Sequence, residues 1–370
     1  MTQTQQQASI YSADDFRLMA HALRLAERGL YGTTPNPRVG CVLAKDGEIV
    51  GEGWHQRAGE AHAEVHALQA AGTRAAGATA YVSLEPCSRF GRTAPCADAL
   101  IQARVARVVA AMEDPNPRVH GSGLARLKAA GIDAQCGLLE DEARELNRGF
   151  MMRMTRGRPL VRIKIAASLD GKTALGNGVS QWITGLAARS DGHHWRARSC
   201  AVMTGIGTLS DDDPQLTVRH VETWRQPARI VVDSQLRISL KAKILQGSGA
   251  IIATASTDET KKKALRDLGA DMICLPNGEG KVDLQALMQE LGRREMNEIL
   301  VEAGINLHSA LHAAGVVDEW LLYLAPHFLG TQGRGILDLG ALTAMESRQA
   351  LKVIDTRRFG DDLRIIARNG

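Results

Sequence analysis

Two short runs of the sequence hold residues able to do metal chemistry: His62-Ala63-Glu64, and further along Pro86-Cys87 with Pro95-Cys96 beyond it. Zinc is bound by imidazole nitrogen and thiolate sulfur, and a catalytic zinc takes three protein ligands and keeps one position for water. His62, Cys87 and Cys96 supply such a set. Glu64 then stands where it can take a proton from that water and return it to a leaving amine. His-x-Glu with Pro-Cys is the pattern of zinc nucleobase deaminases, although the run from Ser88 to Pro95 separates the two cysteines where the general pattern has only two residues. Two other readings use the same residues. His66, one turn after His62, could close a four-ligand structural site with Glu64 merely solvated. Alternatively, the cysteines are plain buried side chains without metal. The His-Glu-x-x-His signature of metalloproteases is absent.

The chemistry constrains the elements that carry it. Two residues apart on a regular helix point in roughly opposite directions. His62 and Glu64 therefore converge only if His62 sits at or before the first turn of a helix over about 61–71. Pro95 suits a first helical turn and sets Cys96 at a helix N-terminus, where partial positive charge favours the thiolate. Ser12 and Asp15 form a capping-box-like helix start that Gly29 closes. Residues 38–44 and 48–54 read as a hairpin about Asp46-Gly47. A strand over 79–84, a helix after Pro95, a strand over 105–112, a helix over 123–130 and a strand over 132–136 follow. This alternation predicts an α/β sandwich around one sheet. Residues 139–154 read as one further helix, and the run from Thr155 to Pro159 breaks the pattern. Two domains are expected, 1–156 and 157–370. Strands over 160–166, 200–204, 229–233, 250–253, 298–301 and 319–325 make the second domain α/β as well.

Composition sets outer limits. A chain of 370 residues favours two domains, and 44% hydrophobic with 23% charged residues is ordinary globular usage. The net charge of +4 gives no support for a nucleic-acid partner. Six cysteines over this length are too sparse for a disulfide scaffold. The first ten residues do not read as a signal peptide, and no apolar run reaches the ~18–20 residues of a membrane span. A cytoplasmic protein without membrane or nucleic-acid partner is expected, and a homo-oligomer is compatible with the sequence.

The zinc pattern, together with Thr34-Pro35-Asn36-Pro37-Arg38-Val39-Gly40 upstream, closely resembles the bifunctional deaminase–reductase family of riboflavin biosynthesis. The second half carries four further segments in matching order. They run from Lys164 to Lys172, from Ser180 to Thr184, from Asp211 to Arg219 and from Val301 to Gly304. The resemblance covers nearly the whole chain. It implies an N-terminal cytidine-deaminase-like three-layer domain followed by a dihydrofolate-reductase-like α/β domain, with one zinc in the first and NADPH in the second. It implies a phosphorylated pyrimidine substrate that is deaminated by a zinc site with Glu64 and then reduced at its ribosyl group. By the same resemblance Ala166, Trp182, Thr208, Asp212, Ser234 and the run Gly304, Ile305, Asn306, Leu307, His308, Ser309 and Ala310 would contact NADPH. Ser180, Arg196, Leu216, Arg219 and Glu302 would contact the substrate. Read from the residues alone, Arg196 and Arg219 are forked donors suited to a phosphate. Gly304 ahead of a helix could let backbone amides approach a pyrophosphate. Asn36, bracketed by prolines, is either a pyrimidine contact or a turn residue. The rival functional reading is a polynucleotide (tRNA) deaminase with a C-terminal binding module. It is disfavoured by the small net charge and by the lack of a basic-aromatic stripe in the second half.

Overall fold

The computed structural model describes residues 10–88, 95–117, 119–247 and 249–370. The N-terminal run read above for a signal peptide and most of the segment between Cys87 and Cys96 lie outside the described residues. The chain divides into two compact units between Arg156 and Gly157.

The first unit is built on a five-stranded sheet of order β2-β1-β3-β4-β5. Its strands are β1 (Gly40–Lys45), β2 (Glu48–Trp54), β3 (Thr79–Val82), β4 (Arg107–Ala110) and β5 (Asp133–Cys136). β1 pairs antiparallel with β2 and β3, and β3, β4 and β5 run parallel. Alternation along β1 sorts the layers. Cys41 and Leu43 face one apolar cluster with Ala63, Ala67, Leu100 and Leu127, while Val42 and Ala44 face another with Leu18, Met19, Ala22 and Ala143. Helices therefore cover both faces, giving three layers. The Asp46-Gly47 turn has positive φ at both residues (51° and 83°), the geometry that closes a two-residue hairpin.

One packing relationship places the chemistry. Helix α2 (Ala63–Ala71) lies so close to β2 that a Cβ at Gly53 would stand 2.6 Å from the Ala63 carbonyl oxygen, and one at Gly51 2.3 Å from that of Ala67. Glycine on the strand and alanine every fourth residue on the helix let the two backbones nearly touch, which fixes the helix start with its His62 and Glu64.

Residues 139–154 are not one helix but two, α5 (Glu140–Leu146) and α6 (Arg148–Arg156). The break falls at Asn147, whose buried amide is turned to the backbone of Arg38, accepting its N–H at 2.8 Å and donating to its carbonyl at 3.0 Å. For the same reason β1 begins at Gly40 rather than at Arg38. Pro95 precedes the first turn of α3 (Cys96–Gln102) instead of standing within it.

The second unit carries a nine-stranded sheet of order β11-β10-β9-β8-β12-β6-β13-β16-β15. The strands are β6 (Leu160–Ser168), β8 (Ala201–Gly205), β9 (Ala228–Val232), β10 (Ala250–Thr254), β11 (Asp271–Cys274), β12 (Glu298–Val301), β13 (Glu319–Ala325), β15 (Leu351–Phe359) and β16 (Asp362–Asn369), while β7 (Lys172–Ala174) and β14 (Arg334–Gly335) pair separately. The run from β11 to β13 is parallel, and β16 joins it antiparallel. The parallel strands β8, β10 and β12 are short, mostly apolar runs buried almost throughout, as covered parallel sheets require. β15 and β16 escaped the sequence reading: β15 is an exposed edge with charged Asp355, Arg357 and Arg358, and so lacks an apolar pattern. Among the described residues no helix is long and apolar enough to cross a membrane.

Candidate active sites

In the first unit, β2 leads into a loop that ends at His62, the N-cap residue of α2, in extended conformation (φ −78°, ψ 167°). This is the arrangement that lets His62 and Glu64 converge. Cys96 opens α3, and its backbone N–H points to the Cys87 sulfur at 3.3 Å. His62 Nδ1 lies 3.2 Å from Cys96 Sγ and 3.6 Å from Cys87 Sγ. A tetrahedral zinc with ordinary Zn–N and Zn–S bonds would separate nitrogen from sulfur by roughly 3.5 Å, so the three donor atoms fit that ion. All three lie within 4.8 Å of one another, and His66 is not part of the cluster. Among the described residues the four-ligand structural site with His66 is therefore not formed.

Hydrogen bonds from the Cys96 thiol and the His62 ring lower the Cys87 thiol below its ordinary value, while Cys87 together with burial pushes Cys96 up. Glu64 is buried, and its Oε2 has no hydrogen-bond partner. Burial raises its pKa above the usual carboxylate value, against the pull of His62. A buried carboxyl with one oxygen unpartnered can carry a proton. Asn36 reaches this region through His55: the Asn36 amide nitrogen lies 3.0 Å from His55 Nε2, His55 Nδ1 lies 3.1 Å from the Ala61 carbonyl, and the His55 ring stands edge-on to that of His62 at 5.3 Å.

The second unit holds a cavity of about 560 Å³ at the C-terminal end of β6, closed by helix α7 (Leu186–Arg198) and the segment 212–220. It gathers Ser180, Arg196, Leu216, Arg219 and Glu302 of the expected substrate set, and Ala166, Trp182, Thr208, Asp212 and His308 of the expected cofactor set. Trp182 is exposed at the rim with Arg189 stacked 4.4 Å from its ring centre. Gly304 caps helix α11 (Ile305–Ala313) without any side-chain cap bond, and a Cβ there would lie 3.6 Å from the Thr208 hydroxyl. The rest of that run is divided. Leu307 turns into the apolar core, Asn306 and Ala310 are exposed, and the Ser309 hydroxyl bonds the Ile305 carbonyl at 2.7 Å. Ser234 follows β9 and lies outside the cavity lining, with its hydroxyl accepting the Val282 N–H at 3.1 Å.

Arg196 differs from the sequence expectation. Its fork is closed on Glu302, Nε to Oε1 at 2.5 Å and Nη2 to Oε2 at 2.9 Å, and Nη1 donates to the Thr217 carbonyl at 3.0 Å. Those donors are committed to protein groups rather than turned to a phosphate. Burial opposes ionisation of Glu302, but the Arg196 charge and hydrogen bonds, with Lys164 behind them, hold it down at about 2. Arg219 forms no ion pair with the described residues and lines the cavity, as does Arg189, whose guanidinium is stacked on Trp182 and donates to the Thr184 carbonyl.

Sequence reasoning missed Lys164, whose buried amine is pressed below its ordinary pKa by desolvation beside Glu302, and His193. It also missed His55 and Glu85. Lys164 sat inside a recognised segment without a role, and the other three had no local pattern to mark them.

Comparison with known proteins gives these two sites a context. Residues 12–112 match the family described as the cytidine and deoxycytidylate deaminase zinc-binding region, and residues 159–365 match the RibD C-terminal domain. The chain is 49% identical over 359 residues to the riboflavin biosynthesis protein RibD of Escherichia coli K12, covering 93% of this chain and 96% of that one. It is 41% identical to RibD of Aquifex aeolicus, covering 94% and 97%. The solved structure of Acinetobacter baumannii RibD superposes with a TM-score of 0.90 at 43% identity, over 96% of this chain and 99% of that one. A Thermotoga maritima structure, described as a diaminohydroxyphosphoribosylaminopyrimidine deaminase/5-amino-6-(5-phosphoribosylamino)uracil reductase, superposes at 0.86 with 30% identity over 96% and 99%.

A cytidine-deaminase-like unit followed by a dihydrofolate-reductase-like unit makes this a bifunctional deaminase–reductase. The chain belongs to the RibD family of riboflavin biosynthesis proteins. The polynucleotide deaminase reading is not favoured by this membership.

Proposed function

We propose that the chain carries out two successive steps on one intermediate. The first is hydrolytic deamination of 2,5-diamino-6-ribosylamino-4(3H)-pyrimidinone 5′-phosphate. The second is NADPH-dependent reduction of the ribosyl group to ribityl, giving 5-amino-6-ribitylamino-uracil 5′-phosphate. The substrate is taken from the name of the Thermotoga relative. The observation that carries the reading is the His62, Cys87 and Cys96 triad beside the buried, unpartnered Glu64 oxygen.

His62, Cys87 and Cys96 would hold zinc, which when bound supplies Lewis acidity and activates water. Glu64 takes a proton from the attacking water and delivers it to the departing amine, so that the ring carbon gains oxygen and ammonia leaves. The burial of Glu64 limits loss of that proton to bulk solvent. Asn36, its amide nitrogen turned to His55, keeps its carbonyl oxygen to accept from a ring N–H.

In the second unit NADPH would supply the hydride delivered to C1′. Two uncapped helix starts, at Gly205 and Gly304, offer backbone N–H groups for its diphosphate beside Thr208. Ala166, Trp182, Asp212 and His308, which line the cavity, and Gly304 at its helix start complete its proposed contacts. Ser180, Leu216 and Arg219 would bind the phosphoribosyl group. Glu302 would accept from sugar hydroxyls while Arg196 holds it ionised. A cytoplasmic setting is part of this reading and is supported by six cysteines, none of which forms a disulfide.

A coupled assay on zinc-loaded protein tests it. Ammonia release must precede NADPH oxidation, and Glu64→Gln must lose ammonia release while keeping its zinc. Deamination by that variant at the wild-type rate would overturn the proton role of Glu64. Absence of both signals in the wild type would overturn the substrate assignment.

A further inference from the structure

The segment that brings Leu216 and Arg219 to the reductase cavity has an unusual backbone. Asp213, Leu216 and His220 all adopt positive φ (41°, 55° and 64°). L-residues enter this region only where surrounding contacts hold them. The contacts come from two directions. Gln226 grips Val218 from outside, accepting its N–H at 2.7 Å and donating to its carbonyl at 3.2 Å. From the cavity side, α7 contributes two side chains three residues apart and so on one face. Arg196 donates to the Thr217 carbonyl at 3.0 Å, and His193 Nδ1 accepts the Arg219 backbone N–H at 3.0 Å.

The His193 bond has a defined chemistry. An imidazole nitrogen can accept only when it carries no proton, so Nδ1 is bare and the ring proton sits on Nε2. Burial, with the Arg196 and Arg219 charges, presses the ring down to about 4, so it is neutral at neutral pH and the acceptor persists. The His220 ring stands edge-on at 5.2 Å and limits rotation of the imidazole. Replacing His193 by an apolar residue would leave a backbone N–H without its partner in a strained segment, next to the side chain that faces the cavity.

We propose that His193 is a positioning residue of the reductase site: by accepting the Arg219 backbone N–H it fixes how the Arg219 guanidinium enters the cavity, and so sets affinity for the substrate phosphate. The inference rests on the reading that Arg219 holds that phosphate. His193 need not touch the substrate; it acts through Arg219.

The side-chain geometry of the amides supplies the test. The Asn Oδ1 falls near the Nδ1 position of histidine and can keep the acceptor, whereas the Gln amide falls near Nε2 and cannot. The full-length protein is assayed for NADPH oxidation with the deaminated substrate and with its dephosphorylated form. His193→Ala and His193→Gln should raise KM for the phosphorylated substrate about tenfold, the effect of one lost hydrogen bond, with kcat, the KM for NADPH and rates on the dephosphorylated form changed less than about twofold. His193→Asn should restore the wild-type KM. An equal loss on both substrates, or an Asn variant no better than Gln, overturns the proposal, and the Asn–Gln comparison decides alone if the Ala variant does not fold. Arg219→Ala separates the two layers. If it fails to discriminate between the substrates, the phosphate assignment itself falls. If it discriminates and His193→Gln does not, only the His193 role falls.

Discussion

The Glu85 carboxylate accepts the backbone N–H of Gly123 at 2.8 Å, and a Cβ on Gly123 would stand only 1.9 Å from the Pro86 carbonyl oxygen. Glu85 also accepts from the N–H groups of Asp114, Gly121 and Leu124. The turn that delivers Cys87 is thereby fastened to the start of helix α4 (Ser122–Ala129). Glu85→Ala would orphan four buried or half-buried donors and should cost about 3 kcal/mol or more in urea unfolding. Gly123→Ala should push the same turn away. Both variants should purify with less zinc than wild type, and full zinc occupancy in either would show that Cys87 is placed by other contacts.

Metal removal should split the two activities. The His62, Cys87 and Cys96 cluster lies in the unit that ends at Arg156, and the reductase cavity in the unit that begins at Gly157. A chelator, or Cys96→Ser, should abolish ammonia release while NADPH oxidation with already deaminated substrate continues at close to its original rate. Parallel loss of both would mean that the metal also stabilises the second unit.

How much of this was legible in the sequence depends on how local each signal is. The clustering of His62, Cys87 and Cys96 could be read because His-x-Glu and Pro-Cys are short patterns, and the placing of His62 before its helix followed from helix geometry alone. The Asp46-Gly47 hairpin was equally local. Asn147 was not: its role is to pair with the backbone of Arg38, 109 residues earlier, and nothing around it marks a helix break. Arg196 was legible as a forked donor but not as the partner of Glu302, 106 residues on, since only the fold brings β12 beside α7. His193 and Glu85 act on backbone N–H groups, which leave no trace in residue type. β15 was hidden by its charged, exposed face.

The second unit should lose stability as pH falls from about 6.5 toward 4. Burial lowers His308 to about 4, with Lys164 nearby adding to the effect, and His193 is lowered to about 4 as well. Below 6.5 the unfolded chain takes up protons at these rings while the folded chain does not. Stability therefore rises with pH across this window and is complete above it. Trp195 and Trp320, both buried in this unit, make tryptophan fluorescence a suitable probe of its urea unfolding. His308→Gln, which cannot titrate, should flatten the slope between pH 6.5 and 4. A slope identical to wild type would show that His308 is protonated in the folded protein too.

Breaking the Arg196–Glu302 pair should raise the acid limit of the reductase. Glu302 is one of two carboxylates lining the cavity, with Asp212, and with Arg196 in place it stays ionised down to about 2, well below its unperturbed value of 4.5. In Arg196→Ala the burial that opposes its charge remains while the principal counter-charge is gone, leaving Lys164 as the nearer cation. The Glu302 pKa must then rise, so the carboxylate protonates at a higher pH and kcat/KM should fall off as the medium is made mildly acidic, where wild type is flat. Removing one partner of a largely buried pair should also destabilise the protein by roughly 3 kcal/mol. Arg196→Lys restores a charge but not the two-point fork or the bond to the Thr217 carbonyl. It should therefore recover the pH profile in part while leaving KM raised, because the segment carrying Arg219 is no longer held from that side. A pH profile unchanged in Arg196→Ala would mean that the ionisation of Glu302 plays no part in turnover.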